Sequence, residues 1–201
     1  DPPPPFPEEA RALRRAVPRR RSEFAAGRAA ARAAMAELGL TARAVPMGPD
    51  RAPLWPPGLA GSLSHCATAA LAVLAPQARA AALGVDLEPA TPLSEDLFDT
   101  VLSATERAAL GGDALAGTRL FCAKEALYKA QYAVTAQLLG FDAVEVTLGA
   151  GRFEARFRQA VGRFREGARL QGQMREGGGF ILAAVVLPPA GHAGPETECF
   201  S

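Results

Sequence analysis

The chain has 201 residues, 49% of them hydrophobic and 21% charged, with 22 Lys and Arg against 21 Asp and Glu. That is enough apolar material for one domain with a substantial core, or for two small lobes sharing one. The near-neutral balance excludes a disordered chain and argues against a protein built mainly to hold nucleic acid.

Charge is nonetheless uneven along the chain. Residues 1–51 hold ten Arg and six acids, residues 84–110 hold six acids and only Arg107, and residues 152–175 hold seven Arg against Glu154 and Glu166. An acidic middle between basic flanks suits a metal ion meeting a polyanionic ligand. Cys66, Cys122 and Cys199 match neither zinc spacing nor a disulfide framework, which points to a reducing, cytoplasmic setting. No signal peptide is visible, although the chain starts at Asp1 without a methionine. The run FILAAVVL at 180–187 is far too short to span a bilayer.

In chain order, DPPPPFPEE reads as an extended Pro-rich entry and RALRRAVPRRR as a basic stretch interrupted by Pro18. Ser22 is the expected N-cap of a first helix, with Glu23 in its first turn. That helix runs to about Leu38, with Phe24, Ala31, Met35 and Leu38 on one stripe, and Gly39 ends it. Gly27 inside it costs about 1 kcal/mol relative to Ala, which close approach of a ligand or another element would explain. Residues 41–61 form a Pro/Gly-rich loop. GSLSHC (61–66), ALAVLA (70–75) and ALGVDLEP (82–89) read as strands, followed by the acidic helical pieces SEDLFDTVL and SATERAAL.

The longest helix is expected over about 117–139, with Leu120, Ala123, Leu127, Ala130, Val134 and Leu138 as its core stripe. Two hairpins follow, one turning at Gly149–Gly151 and one at the glycines 177–179. Each half thus pairs a long helix with strands, a faint internal duplication. The predicted class is α+β, two similar lobes each with a long helix on a small antiparallel sheet. The predicted domain is 8–187, with lobes of about 8–83 and 84–187 and a flexible tail over 188–201.

Two motifs concentrate chemistry. In GVDLEP, Asp86 and Glu88 are two apart on a strand and project from one face. The pair is either a solvated strand face or a site for a divalent cation, since adjacent carboxylates repel unless a cation or protons intervene. In FCAKEALYK (121–129), Glu125 and Lys129 are one helical turn apart. They form either an ordinary i,i+4 pair or, with Asp86 and Glu88, a third metal-facing carboxylate and a phosphate-facing lysine. SATE (103–106) reads as a capping box, with Glu106 also open as a fourth carboxylate near the metal. Ser64 and His65, ending a strand, are candidate phosphate donors. Arg28 and Arg32, one turn apart with Arg21 before them, are either a solvated basic face or a phosphate clamp. No Walker loop, GxGxxG or GxSxG elbow is present, so a bound phosphate must be held by scattered side chains and a metal.

GVDLE (84–88) followed by FCAKEALYK resembles the paired signature of the Sfp-type 4′-phosphopantetheinyl transferases. RRSEFAAGRAAAR (20–32) and WPPGLAGSLSH (55–65) resemble further motifs of the EntD-like subgroup. The resemblance implies two similar α+β lobes with coenzyme A at their junction. It also implies Mg²⁺-dependent transfer of phosphopantetheine to a serine of an apo carrier protein, releasing 3′,5′-ADP. By motif, Asp86, Glu88 and Glu125 would bind Mg²⁺, and Lys129 would contact the pyrophosphate, with Lys124 as the motif lysine. Ser64 and His65 would contact coenzyme A phosphates, and Arg28, with Arg21, Arg32 and Arg51, would hold the 3′-phosphate and adenine end. The proton of the incoming serine would go to Glu125 or to a water held by Glu106. The subgroup leans toward siderophore or other nonribosomal peptide pathways, and an internally duplicated pair of lobes could act as a monomer.

Two other readings stand beside this one. A Mg²⁺-dependent phosphohydrolase could use the same carboxylates on water. A basic binding protein could use segments 11–32 and 152–175, but aromatic residues are only 6% and do not interleave with the Arg runs as stacking on nucleic acid requires.

Overall fold

Two helices of twenty residues each organise the chain in the computed structural model, which describes residues 2–13 and 16–189. The order is α1 (Pro7–Ala10), α2 (Pro18–Glu37), β1 (Leu59–His65), β2 (Ala70–Pro76), β3 (Ala82–Pro89), α3 (Phe98–Val101), α4 (Ala104–Ala108), α5 (Ala116–Thr135), β4 (Val144–Gly149), β5 (Arg152–Phe157), β6 (Arg169–Gly177) and β7 (Phe180–Leu187). Strands β1 and β2 form a two-stranded antiparallel sheet, and the rest form a five-stranded antiparallel sheet in the order β3-β7-β6-β5-β4. Helix α2 lies on the small sheet and α5 on the large one. The α+β class and the pairing of a long helix with a sheet in each half are therefore as expected, although the sheets differ in size. No helix among the described residues is long and apolar enough to cross a membrane.

Helix α2 starts five residues earlier than the capping rule suggested. Pro18 occupies its first turn behind Val17, and Ser22 lies inside it. A proline there loses nothing, because its missing N–H has no helical partner at that position. The start matters, since Arg20 now falls one turn before Phe24 and two before Arg28. At the other end Gly39 (φ +71°) breaks the helix, and Leu38 is 41% exposed rather than core. The entry is also not fully extended, since α1 forms behind Pro7 and carries the fully buried Glu9.

Helix α5 stops at Thr135, with Ala136 left-handed (φ 53°), and Leu138 is 83% exposed instead of completing the core stripe. Side chains make this end, not a glycine. Buried Gln131 accepts from the Thr135 hydroxyl (2.7 Å) and donates to the Gln137 carbonyl (3.0 Å), while Gln137 N–H donates to Thr135 Oγ1 (3.1 Å). The loop thus turns back on the last helical turn, and the 3.6-residue pattern continues past it without meaning.

The main core lies between α5 and the large sheet, around Leu127, Phe153, Phe157, Ile181 and Leu187. Small residues set its depth. A Cβ on Gly84 would stand 1.9 Å from the Ala126 carbonyl and 2.7 Å from Ala130 N, so β3 touches the helix backbone there. A smaller cluster of Ala31, Met35 and Val45 holds α2 against Trp55, Ala72 and Leu74. The two sheets meet where β1 runs beside β3. Ser62 Oγ accepts from Val85 N–H (3.0 Å) and Ser64 Oγ from Leu87 N–H (3.2 Å), so two hydroxyls satisfy the outer edge of β3. The expected tail over 188–201 lies outside the described residues from residue 190 onward.

The two glycines at helix contacts separate sharply. At Gly27 a new Cβ would meet only Leu63 Cδ1, at an ordinary 3.5 Å, so close approach is not what places a glycine there. Gly27→Ala should stabilise the chain by about 1 kcal/mol, read as a raised midpoint in chemical denaturation. Gly84→Ala should cost about 3 kcal/mol or more by forcing β3 off α5, and an unchanged midpoint would contradict the packing described.

Candidate functional site

Asp86 sits at the centre of a polar cluster where the two sheets meet. The alternation of β3 turns Gly84, Asp86 and Glu88 toward α5. Gly84 lets the helix close in, and Asp86 is left only 3% exposed. Its Oδ1 accepts from Ser64 Oγ (2.8 Å) and Lys129 Nζ (2.6 Å), and Lys129 also donates to the Val85 carbonyl (3.0 Å). Its Oδ2 is buried and meets no hydrogen-bond partner. A buried carboxylate oxygen without a donor is costly, so this one points to a cation or a ligand donor.

Glu88 and Glu125 are half-buried beside it and feel its charge. Burial, then the Asp86 carboxylate, then Glu125 push the Glu88 carboxyl up to about 7, while Lys129 opposes them. Glu125 is raised for the same reasons, burial first and Asp86 next, again opposed by Lys129. Three carboxylates therefore converge on one cation, Lys129. Among the described residues no three acidic, His or Cys groups close tightly enough to form a ready-made cation cage. A hard cation such as Mg²⁺ does not need one, since it is usually held by one or two carboxylates with waters and substrate phosphates. The orphaned Asp86 oxygen and the mutual repulsion of the acids fit such an ion.

His65 follows Ser64 at the end of β1. Its Nε2 lies 3.1 Å from Arg20 Nη1, and burial followed by the Arg20 charge lowers its pKa, favouring the neutral ring. Arg20 also lies 3.6 Å from Glu23. Arg20 was missed by sequence reasoning; the signal was Pro18 as a helix start, which puts Arg20 on the stripe of Phe24 and Arg28.

The other predicted arginines behave differently from one another. Arg28 is 4% exposed, stacks over Phe24 and donates through Nε to the Val45 carbonyl. Burial lowers its pKa to about 10, leaving it charged at neutral pH. Arg32 pairs with Glu9 (3.1 Å) and stacks over Phe6. Glu9 also accepts from Val45 N–H (2.8 Å) and Phe6 N–H (2.8 Å). Spacing carries no sign of Glu9, because two of its partners, Arg32 and Val45, lie 23 and 36 residues away. Arg21 is exposed and donates to the Ala16 carbonyl. Arg51 is exposed in a left-handed conformation (φ 70°), next to Asp50, which accepts from Tyr132 of α5.

Lys124 and Glu106 are not brought to the Asp86 cluster. Lys124 is 3% exposed and its ammonium donates to Glu106 Oε2 (2.7 Å) and to the carbonyls of Val101 (2.8 Å) and Phe141 (3.0 Å). Burial lowers its pKa, and Glu106 counters this. Glu106 completes the capping box with Ser103 and accepts from Val146 N–H (2.7 Å). This buried pair ties α4, α5 and β4 together, and removing one partner from such a pair typically costs about 3–5 kcal/mol.

Lys124, Glu125, Tyr128, Leu138, Leu139, Gly140, Phe141 and Val144 line a cleft of about 180 Å³ along α5. It is mainly apolar and has the Glu125 carboxylate in its wall. Cys122 is buried against the carbonyls of Asp86 and Ile181, and burial raises its thiol pKa, so it is inert as a nucleophile.

Comparison with known proteins converges on one family. The model described as 4′-phosphopantetheinyl transferase N-terminal domain matches residues 8–75, and the 4′-phosphopantetheinyl transferase superfamily model matches residues 82–184. 4′-Phosphopantetheinyl transferase Svp of Streptomyces mobaraensis is 40% identical over 207 residues, covering 96% of this chain and 83% of the relative. 4′-Phosphopantetheinyl transferase PptT of Mycobacterium tuberculosis is 35% identical over 196 residues, 91% of this chain and 86% of the relative. Enterobactin synthase component D of Salmonella typhimurium is 43% identical over 142 residues, 67% of this chain and 58% of the relative.

The raised Glu88 carboxyl has a consequence for stability without any ligand. The folded state favours its protonated form, so the stability it contributes is present below its ordinary pKa of 4.5 and is lost as pH rises to about 7. Thermal unfolding in the presence of a chelator should show a falling midpoint across that window. Glu88→Gln should flatten the slope, and a variant with the wild-type slope would assign it elsewhere.

Proposed function

The chain belongs to the 4′-phosphopantetheinyl transferase superfamily, and from that premise we propose that the cluster around Asp86 is where the reaction takes place. The chain transfers the 4′-phosphopantetheine group of coenzyme A to a serine of a carrier protein. The observation that carries the site is Asp86 itself: one oxygen fixed by Ser64 and Lys129, the other buried without a donor, and two further carboxylates facing it. Asp86, Glu88 and Glu125 are the residues that would hold Mg²⁺, which when bound supplies positive charge against the pyrophosphate.

The residues of the chain divide the remaining work. The serine oxygen forms a bond to the phosphorus nearer the pantetheine, and the anhydride bond to the departing 3′,5′-ADP breaks. Glu125 takes the serine proton, since burial and the neighbouring Asp86 carboxylate make it a stronger base than an exposed carboxylate. Glu106 is not a comparable candidate, because both its oxygens already accept from Ser103, Lys124 and Val146. Lys129 faces the charge that grows on the leaving phosphate. His65 and Arg20 at the end of β1, with Arg28, form the basic side that receives the nucleotide phosphates. The apolar cleft beside Glu125 takes the pantetheine arm and keeps water from the anhydride. The lobes 8–83 and 84–187 act as one unit, as a monomer, because the cluster draws Ser64 from one and Asp86 and Lys129 from the other.

Glu125→Gln should reduce transfer by about a hundredfold or more while leaving the thermal midpoint within a few degrees. The readout is intact mass of an apo carrier protein after incubation with coenzyme A and Mg²⁺, with and without EDTA. A wild-type gain of one phosphopantetheine, lost with EDTA and in the variant, is expected. Full transfer by the variant would remove Glu125 from the reaction, and coenzyme A cleavage with an unmodified carrier would favour the hydrolase instead.

A further inference from the structure

A second link between the lobes runs from α5 to the loop before β1. The Tyr132 hydroxyl donates to Asp50 Oδ2 (2.9 Å), a partner 82 residues away. Tyr132 lies on the face of α5 that carries Glu125, Tyr128 and Lys129, which are seven, four and three residues back. Its ring stacks on Tyr128 (5.7 Å between centroids), and Tyr128 lines the cleft beside Glu125. Lys129 holds Asp86 (2.6 Å). Asp50 is thus tied to α5 about one helical turn, roughly 5 Å, beyond the lysine that faces the pyrophosphate.

The loop that carries Asp50 is closed on itself. Leu54 N–H donates to the Pro46 carbonyl (2.8 Å), Gly48 N–H to the Ala52 carbonyl (2.8 Å) and Arg51 N–H to the Gly48 carbonyl (3.0 Å). Asp50 Oδ1 accepts from Ala52 N–H (3.1 Å), so one carboxylate oxygen shapes the loop and the other fastens it to α5. Gly48 leaves space for that carboxylate, since a Cβ there would stand 2.7 Å from Oδ1. The start of the loop is fixed as well, because Val45 is held at its carbonyl by Arg28 and at its N–H by Glu9. Arg51 stands between these anchors in a left-handed conformation (φ 70°), an unfavourable backbone for a residue with a Cβ. It is exposed, and no hydrogen bond or ion pair among the described residues engages its guanidinium.

We propose that the Asp50–Tyr132 hydrogen bond sets Arg51 against the nucleotide end of coenzyme A, so that Asp50 and Tyr132 are positioning residues acting through Arg51. This rests on the transferase reading above, in which Lys129 faces the pyrophosphate and Arg28 the nucleotide phosphates. The loop spans those two anchors: it starts beside Arg28 and touches α5 one turn past Lys129. A cation carried on it meets the same polyanion from the loop side. An arginine on an untied loop would have to be ordered at each binding event, and the Tyr132 contact orders it beforehand. Because the contact crosses from one lobe to the other, Arg51 is placed relative to Lys129 and not only to its own lobe. A glycine would make the same turn without strain, so the fold does not ask for an arginine here. Strain kept at such a position fits a backbone held for its side chain.

The test is Tyr132→Phe, which removes one hydroxyl and keeps both the ring on Tyr128 and the charge of Asp50. It is compared with Arg51→Ala and with the double variant, as full chains, in steady-state transfer to an apo carrier protein with coenzyme A varied. Tyr132→Phe should raise KM for coenzyme A about fivefold, the worth of one hydrogen bond, and leave kcat within about twofold. Arg51→Ala should raise the same KM about tenfold, and the double variant should match it, because the hydroxyl then has no arginine to position. A merely structural contact would lower the thermal midpoint of Tyr132→Phe and leave KM unchanged, which overturns the proposal. Effects on KM that multiply in the double variant overturn it too. Calorimetric titration of the same chains with coenzyme A, without carrier, reads the affinity ratios independently of turnover. No transfer by the wild type, with those ratios as expected, overturns the transferase reading and supports the positioning role. No binding of coenzyme A by the wild type overturns both.

Discussion

Val85 and Leu87 present their N–H groups on the side of β3 that has no partner strand in the large sheet, and the hydroxyls of Ser62 and Ser64 accept them. A strand edge buried without partners would cost about 1–3 kcal/mol for each group, so β1 must lie where its serines reach. Both pairs step by two residues, which fixes the register of one lobe against the other. Ser64 then has one hydrogen left, and it goes to Asp86. The joint between the lobes and the orientation of the central carboxylate are thus one hydrogen-bonded unit, with Lys129 closing it from α5.

Helix α5 carries three polar residues to three different destinations. Successive residues lie about 100° apart, so Lys124 reaches back to Glu106 and the loops behind the helix, Glu125 faces the cleft, and Lys129 crosses to Asp86. One lysine is structural and saturated. The other is partly exposed and shared between the Asp86 carboxylate and the Val85 carbonyl. The small residues Ala123, Ala126 and Ala130 on the fourth side allow β3 to approach at Gly84, which brings Asp86 within reach of Lys129.

The small lobe is held by a second buried acid. Glu9 joins the entry segment, Arg32 and the backbone of Val45, while Arg28 holds the carbonyl of the same residue. The stretch before β1 is therefore fixed by side chains rather than by a sheet partner. That fixes Arg28 as well, whose burial against Phe24 leaves it little freedom to rearrange.

Residue spacing by itself determined the strands β1 to β7, both C-terminal hairpins, the presence of two long helices and the pairing of Asp86 with Glu88 on one face. Those are local matters, set by periodicity and by glycines at turns. The motifs also carried the family, because Gly84, Asp86, Glu88, Glu125 and Lys129 answer to steric and electrostatic demands that few other residues meet. Tertiary structure decided what spacing cannot express. Glu106 and Lys124 look like site residues beside Glu125, yet they neutralise each other in the core, since a helix sends neighbours in different directions. Arg20 and Glu9 acquire their roles from His65 and Val45, partners far along the chain. The end of α5, and with it the exposure of Leu138, depends on Gln131 and Thr135 tying back a loop that the apolar pattern alone would have continued as helix.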